Sequence, residues 1–209
     1  MKIQLALDRL SKDECIDILE ETIEYVDIIE IGTGIIKEYG MKIVKDIRRL
    51  YPETTLLADM KTCDAGKHET KQALESGADI TTVMAFSADQ TIIDSLEVAK
   101  SMGKKIMIDL LGITSREKIE KLKELGVELV DIHLGKDSQK ETKFSSDMFS
   151  LVKGLDLEIA VAGGINLDTL PDIVKENPDI VIVGSAITKA KNKKETIKKL
   201  KDIMNENKY

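Results

Sequence analysis

The chain has 209 residues, a third of them charged, and a net charge of −7. That length suits one hydrophobic core rather than two, and the acidic balance lacks the basic footprint of a nucleic-acid binder. No apolar run approaches the roughly 18 residues of a membrane span.

Met1-Lys2 leads straight into a strand-like run, so no secretory leader is expected. Ile3-Gln4-Leu5-Ala6-Leu7 ends at Asp8, and Asp27-Ile28-Ile29 ends at Glu30, with Gly32 following. Thr55-Leu56-Leu57-Ala58 ends at Asp59, and Lys61 and Asp64 come just after. Ile80-Thr81-Thr82-Val83 runs into Met84-Ala85, and Lys105-Ile106-Met107-Ile108 ends at Asp109. Leu129-Val130-Asp131-Ile132 ends at His133, Glu158-Ile159-Ala160-Val161 runs to Gly163-Gly164, and Ile180-Val181-Ile182-Val183 ends at Gly184. Neighbouring endings lie roughly 25 residues apart, the length of one strand, two loops and one helix.

Amphipathic stripes fill the intervals. Cys15, Ile18, Leu19, Thr22, Ile23 and Val26 form the first; Ile119, Leu122 and Leu125 form another; Ile197, Leu200, Ile203 and Met204 form the last. Ser11, Ser138 and Asn166 stand where helices are expected to start, and Gly40, Gly77, Gly103 and Gly126 where they are expected to end. No linker or composition shift divides residues 1–209, which predicts a single domain.

Parallel strands with helical crossovers leave an open doubly wound sheet or a closed barrel. An open sheet would want a dinucleotide fingerprint after its first strand, and Asp8-Arg9-Leu10-Ser11 is unlike one. Eight βα units therefore predict an α/β fold, a single (β/α)8 TIM barrel, with all strand endings at one mouth.

That ring holds Asp8, Glu30, Asp59, Lys61, Asp64, Asp109 and His133. Five acids cannot share a small mouth unless cations offset them. Lys61 supplies one positive charge, and a divalent metal held by Glu30 and Asp59, Mg²⁺ or else Mn²⁺, would supply two more. His133 faces the charged mouth and is the candidate for proton transfer. His68 is expected on a surface, and Cys63 is expected to be a packing residue, since no base accompanies it. Opposite lie Gly163, Gly164, Gly184 and Ser185, where backbone N–H groups could grip a phosphate. With Cys15 and Cys63 forming no disulfide framework, a reducing cytoplasm is expected.

The run Ala58-Asp59-Met60-Lys61-Thr62-Cys63-Asp64-Ala65-Gly66 carries an Asp-x-Lys-x-x-Asp signature. With Leu5-Ala6-Leu7-Asp8, Val26 to Thr33 and Val161-Ala162-Gly163-Gly164-Ile165, it resembles the orotidine 5′-monophosphate decarboxylase superfamily over nearly the whole chain. Within it, Asp109 and His133-Leu134-Gly135-Lys136-Asp137-Ser138-Gln139 resemble the 3-hexulose-6-phosphate synthases. The related 3-keto-L-gulonate 6-phosphate decarboxylases usually carry Glu at position 109 and Arg at position 136. Gly34, where the synthases often have Pro, and Ser185, where they often have Gly, depart from the pattern.

The resemblance implies reversible aldol addition of formaldehyde to D-ribulose 5-phosphate through a Mg-stabilised enediolate. It gives Lys61, held by Asp59 and Asp64, the developing oxyanion, and gives Asp8 and Asp109 the substrate hydroxyls. It also implies a homodimer in which Asp64 reaches the partner's site. The decarboxylase reaction, an epimerase of the same frame and a non-catalytic sugar-phosphate sensor are the alternatives.

Overall fold

Parallel pairing runs unbroken around the sheet, and the eighth strand hydrogen-bonds back to the first. The computed structural model describes residues 1–142 and 144–206. The strands are β1 Lys2–Leu7, β2 Ile28–Ile31, β3 Thr55–Thr62, β4 Ile80–Met84, β5 Lys105–Asp109, β6 Leu129–His133, β7 Glu158–Ala162 and β8 Ile180–Val183. They form a closed barrel in chain order, as the repeat predicts.

Side chains alternate in and out along each strand, and this alternation builds the interior in layers. Ile28, Leu57, Ile80, Met107, Leu129, Ala160 and Ile180 belong to one buried cluster inside the barrel. Two residues further along each of β2 to β6 come Glu30, Asp59, Thr82, Asp109 and Asp131. On β7 and β8 the same step gives Ala162 and Ile182, still in the apolar cluster. The barrel is thus sealed by hydrocarbon below, and its mouth layer is polar on one side only. Each fully buried Leu or Ile of the seal contributes roughly 1.5–3 kcal/mol.

The helices are α1 Lys12–Thr22, α2 Thr33–Tyr39, α3 Met41–Leu50, α4 Gly66–Glu75, α5 Asp89–Ser101, α6 Arg116–Glu124, α7 Leu170–Ile173, α8 Ser185–Thr188 and α9 Lys193–Glu206. A larger apolar cluster lies between them and the outer face of the sheet. Ser11 opens α1 with a full capping box: its hydroxyl accepts from the Glu14 N–H, and its own N–H donates to Glu14 Oε2 at 2.7 Å. Such a cap is worth about 1 kcal/mol. Gly77, Gly103 and Gly126 close α4, α5 and α6 at φ of +109°, +66° and +95°, a region that favours glycine. No helix of the described residues is long and apolar enough to cross a membrane.

Three expectations need correction. The first stripe breaks early: α1 stops at Thr22, and Ile23–Tyr25 is a 3₁₀ turn. The sixth crossover carries 3₁₀ turns at Ser138–Lys140 and Ser146–Leu151 instead of an α-helix, with Ser138 inside the first turn and not capping it. Asn166 also lies ahead of its helix. Its Oδ1 accepts from the N–H groups of Asp168 and Thr169, and α7 begins only at Leu170.

Candidate active site

β3 runs further than its apolar part, and its end is bent. The β3–β4 register shifts between Ala58 and Thr62, and Lys61 adopts a left-handed φ of +48°. Its N–H leaves the strand ladder and donates to Thr82 Oγ1 at 2.9 Å. A bulge of this kind re-aims a side chain, and Lys61 points across the mouth. Its Nζ lies 2.5 Å from Asp109 Oδ2 and 3.3 Å from Asp59 Oδ2. Burial alone would ease the proton off this amine. The charges of Asp59 and Asp109 outweigh it and hold the ammonium protonated, well above the ordinary lysine range.

Asp59 is fixed from two neighbouring strands' ends. Thr33 Oγ1 donates to its Oδ2 and Thr82 Oγ1 to its Oδ1, each at 2.7 Å. Asp109 is almost fully enclosed, at 1% exposure. Its Oδ1 accepts from the Leu111 N–H at 2.8 Å, and its Oδ2 receives both Lys61 and His133 Nδ1, the latter at 2.9 Å. Burial raises this carboxyl, but His133 and Lys61 more than reverse that, and it stays ionised.

Within one chain these contacts give Lys61 a second acid that the sequence did not point to. Besides Asp59, the acid on Lys61 within the chain is Asp109; Asp64 is exposed, and among the described residues of this one chain no ion pair joins it to Lys61. Both Asp109 oxygens already accept from protein donors, the Leu111 N–H, Lys61 and His133, and the carboxylate links Lys61 to His133.

His133 turns Nδ1 to Asp109, which leaves Nε2 as the nitrogen available to a ligand. Burial lowers its proton affinity, but the Asp109 hydrogen bond and the charges of Asp131 and Asp109 win, and the ring is pushed up to about 9. Sequence reading passed over Asp131 as part of an apolar run. Period-two alternation back from His133 was the available signal. Asp131 is buried, and burial pushes its carboxyl up to about 7.

Glu30 stands beside Asp59. Gln4 Nε2, also unremarked in the sequence, donates to Glu30 Oε2 at 2.6 Å, while Gln4 Oε1 is buried without a hydrogen-bond partner among the described residues. Burial first, and the Asp59 charge second, push Glu30 up to about 8. Around the mouth, the cations that Glu30, Asp59, Asp109 and Asp131 face among the described residues are Lys61 and His133. Carboxylate oxygens on the adjacent strands β2 and β3, with Glu30 pushed up by burial and by the Asp59 charge, fit a hard divalent cation at Glu30 and Asp59.

Asp8 sits at the rim, where Oδ1 accepts from the Gly34 N–H at 2.8 Å and Oδ2 pairs with Arg9 Nε at 3.0 Å. A Cβ at Gly34 would lie 2.5 Å from Asp8 Oδ1, so this glycine makes room for the acid. Gly163, at φ +113°, has the Leu134 backbone where a side chain would go. A Cβ at Gly164 would instead lie 3.6 Å from Gln139 Oε1, in ordinary van der Waals contact. Gly184 precedes α8, whose first-turn N–H groups on Ser185 and Ala186 have no intrahelical acceptors. His68 is exposed, as expected; Cys63 is exposed too, contrary to the packing expectation, and Cys15 is the buried thiol.

Residues 1–200 match the family described as orotidine 5′-phosphate decarboxylase / HUMPS. A 3-hexulose-6-phosphate synthase of Bacillus subtilis (strain 168) is 40% identical over 207 residues, which cover 98% of this chain and 99% of the relative. The crystal structure of a 3-hexulose-6-phosphate synthase from Salmonella typhimurium superposes with a TM-score of 0.96 at 34% identity, covering 99% of this chain and all (100%) of that one. A 3-keto-L-gulonate-6-phosphate decarboxylase from Vibrio cholerae is further off, at 27% identity and a TM-score of 0.88, covering 98% of this chain and 97% of the other.

Proposed function

This chain belongs to the orotidine 5′-phosphate decarboxylase / HUMPS family, and from that premise we propose that it is an aldehyde-lyase condensing formaldehyde with D-ribulose 5-phosphate to 3-hexulose 6-phosphate, reversibly. The observation that carries the reading is the Lys61–Asp109–His133 chain: one fixed ammonium and one fixed imidazole are held at a single mouth by one buried acid. Full-length relatives named 3-hexulose-6-phosphate synthase support the choice of substrates.

Forming the new bond requires removal of a C1 proton next to the carbonyl of ribulose 5-phosphate. His133 takes that proton through Nε2. The enediolate carbon then attacks formaldehyde, and Lys61 stabilises and protonates the oxygen on which charge collects. Lys61 forms no Schiff base here, because two carboxylates keep it protonated and therefore not nucleophilic. Glu30 and Asp59 are assigned to hold Mg²⁺ or Mn²⁺, which when bound supplies Lewis-acid polarisation of the carbonyl and neighbouring hydroxyl oxygens. Asp8 is assigned to a substrate hydroxyl, and the Gly164, Gly184 and Ser185 backbone to the phosphate, with Gly163 shaping the turn.

The same reading makes the protein a cytoplasmic homodimer with Asp64 in the partner's site. The exposure of Asp64 and of Phe86, at 60%, on the mouth loops supports such a contact. The test is an assay with formaldehyde, ribulose 5-phosphate and Mg²⁺, run beside one with 3-keto-L-gulonate 6-phosphate. Hexulose phosphate formation is expected; turnover of the second substrate alone would replace the synthase reading with the decarboxylase.

A further inference from the structure

Asp131 has no part in the chemistry above, yet it is a buried acid with an oxygen that has no hydrogen-bond partner among the described residues. It lies two residues before His133 on β6, so both side chains turn into the interior. It is 5% exposed. Its Oδ1 has no hydrogen-bond partner among the described residues, and its Oδ2 lies 3.9 Å from His133 Nδ1. A buried carboxyl with an empty oxygen is costly unless a nearby charge or a proton compensates it. The charged groups facing it are Glu30 on β2, Asp59 and Lys61 on β3, Asp109 on β5 and His133 itself.

Lys61 is committed to Asp109 and Asp59. His133 is therefore the cation left for Asp131, and it stands between the two acids.

We propose that Asp131 is a positioning residue for His133: its carboxylate, whose Oδ1 has no hydrogen-bond partner among the described residues, holds the imidazole in its charged form and so sets the pH at which His133 becomes a base.

Asp109 cannot play this part. Anchored by Lys61 and the Leu111 N–H, it stays ionised throughout and adds a constant attraction. Asp131 is the acid whose proton leaves within the working range, since burial pushes it up to about 7, while His133 lies at about 9. Above about 7 the pair carries opposite charges, and the base form of His133 appears only as the pH climbs further. The inference rests on the proposed function only in making His133 the C1 base; the Asp131–His133 link stands apart from it.

The experiment is a pH titration of ring-labelled histidine by NMR on the full chain. With two histidines present, exposed His68 serves as the internal reference. In the wild type the His133 midpoint is expected near 9. Asp131→Asn should lower it by about one pH unit or more, the scale of losing an opposite charge within about 6 Å, and leave His68 in place. Exchange of the ribulose 5-phosphate C1 proton with solvent should then begin at a correspondingly lower pH. An unmoved His133 midpoint in Asp131→Asn overturns the proposal. Should that variant not fold, Asp131→Ser carries the same test, and the wild type needs no variant: a His133 midpoint at or below the ordinary value of about 6.5 overturns it as well. A moved midpoint with unchanged exchange keeps the link and removes His133 from the reaction.

Discussion

The ammonium of Lys61 reaches past β4 to lie 2.5 Å from Asp109 Oδ2 on β5. Two non-adjacent strands are thereby tied across the mouth, and the tie is made by the residue proposed to stabilise the developing oxyanion. Removing it should cost activity in two ways. Lys61→Ala should lower kcat on the order of 10²-fold or more, the scale of losing one preorganised charge stabiliser. Part of that loss will be structural, because Asp59 and Asp109 are left facing each other. Measuring kcat beside the melting temperature separates the two. A folded Lys61→Ala enzyme with wild-type kcat would remove Lys61 from the chemistry.

Divalent metal and pH should act together on stability. The folded-state values of Glu30, Asp131 and His133 are raised to about 8, 7 and 9 from 4.5, 3.8 and 6.5. A raised group contributes stability that is fully present below its unfolded value and is lost as pH rises through its folded value. Metal-free protein should therefore melt at progressively lower temperature between about pH 5 and pH 9. Mg²⁺ should recover more of that loss at the alkaline end, where Glu30 is ionised and ready to bind. Chelator should abolish turnover, and Mg²⁺ or Mn²⁺ should restore it. A melting temperature that climbs with pH in metal-free buffer, or full activity in chelator, would defeat the assignment of a cation to Glu30 and Asp59.

On the phosphate side, Gly163 and Ser185 should part company. A side chain at Gly163 meets the Leu134 backbone at a left-handed φ, so Gly163→Ala should mainly lower stability, by more than about 1 kcal/mol. Ser185→Asp places a negative charge beside the N–H groups assigned to the phosphate. It should raise KM for ribulose 5-phosphate at least about tenfold, equivalent to about 1.4 kcal/mol, with little change in melting. Equal KM values for Ser185→Asp and wild type would move the phosphate elsewhere.

Subunit mixing tests Asp64. Lys61→Ala and Asp64→Ala homodimers should each be nearly inactive. If Asp64 completes the partner's site, a mixed dimer regains one intact site, and a random mixture should recover about a quarter of wild-type activity. No recovery after demonstrated subunit exchange would confine Asp64 to its own subunit.

Much of the barrel was legible in the sequence for a simple reason. Its strands are β-branched runs that stop on polar residues, and closure turns every stop to the same mouth. Asp59, Lys61 and His133 were visible as such stops. Asp131 and Gln4 were not, because each interrupts an apolar run and only the inward phase of the strand reveals that it faces the other acids. The Lys61–Asp109 contact was hidden for a different reason. Asp64 is three residues away along the chain, whereas Asp109 becomes a neighbour only through the β3 bulge and the curvature of the sheet. The sixth crossover offered no helical stripe to read, and the chain there makes 3₁₀ turns.

The left-handed backbone at Lys61 has a consequence for how this barrel would respond to selection. A non-glycine residue in that conformation costs on the order of 1 kcal/mol, which glycine would not incur. At position 61 Gly should therefore give a more stable protein than Ala, against the usual order of the two, and comparing their melting temperatures isolates the backbone term. Among variants that already lack the amine, a thermostability screen would favour glycine at this point over any side chain with a Cβ.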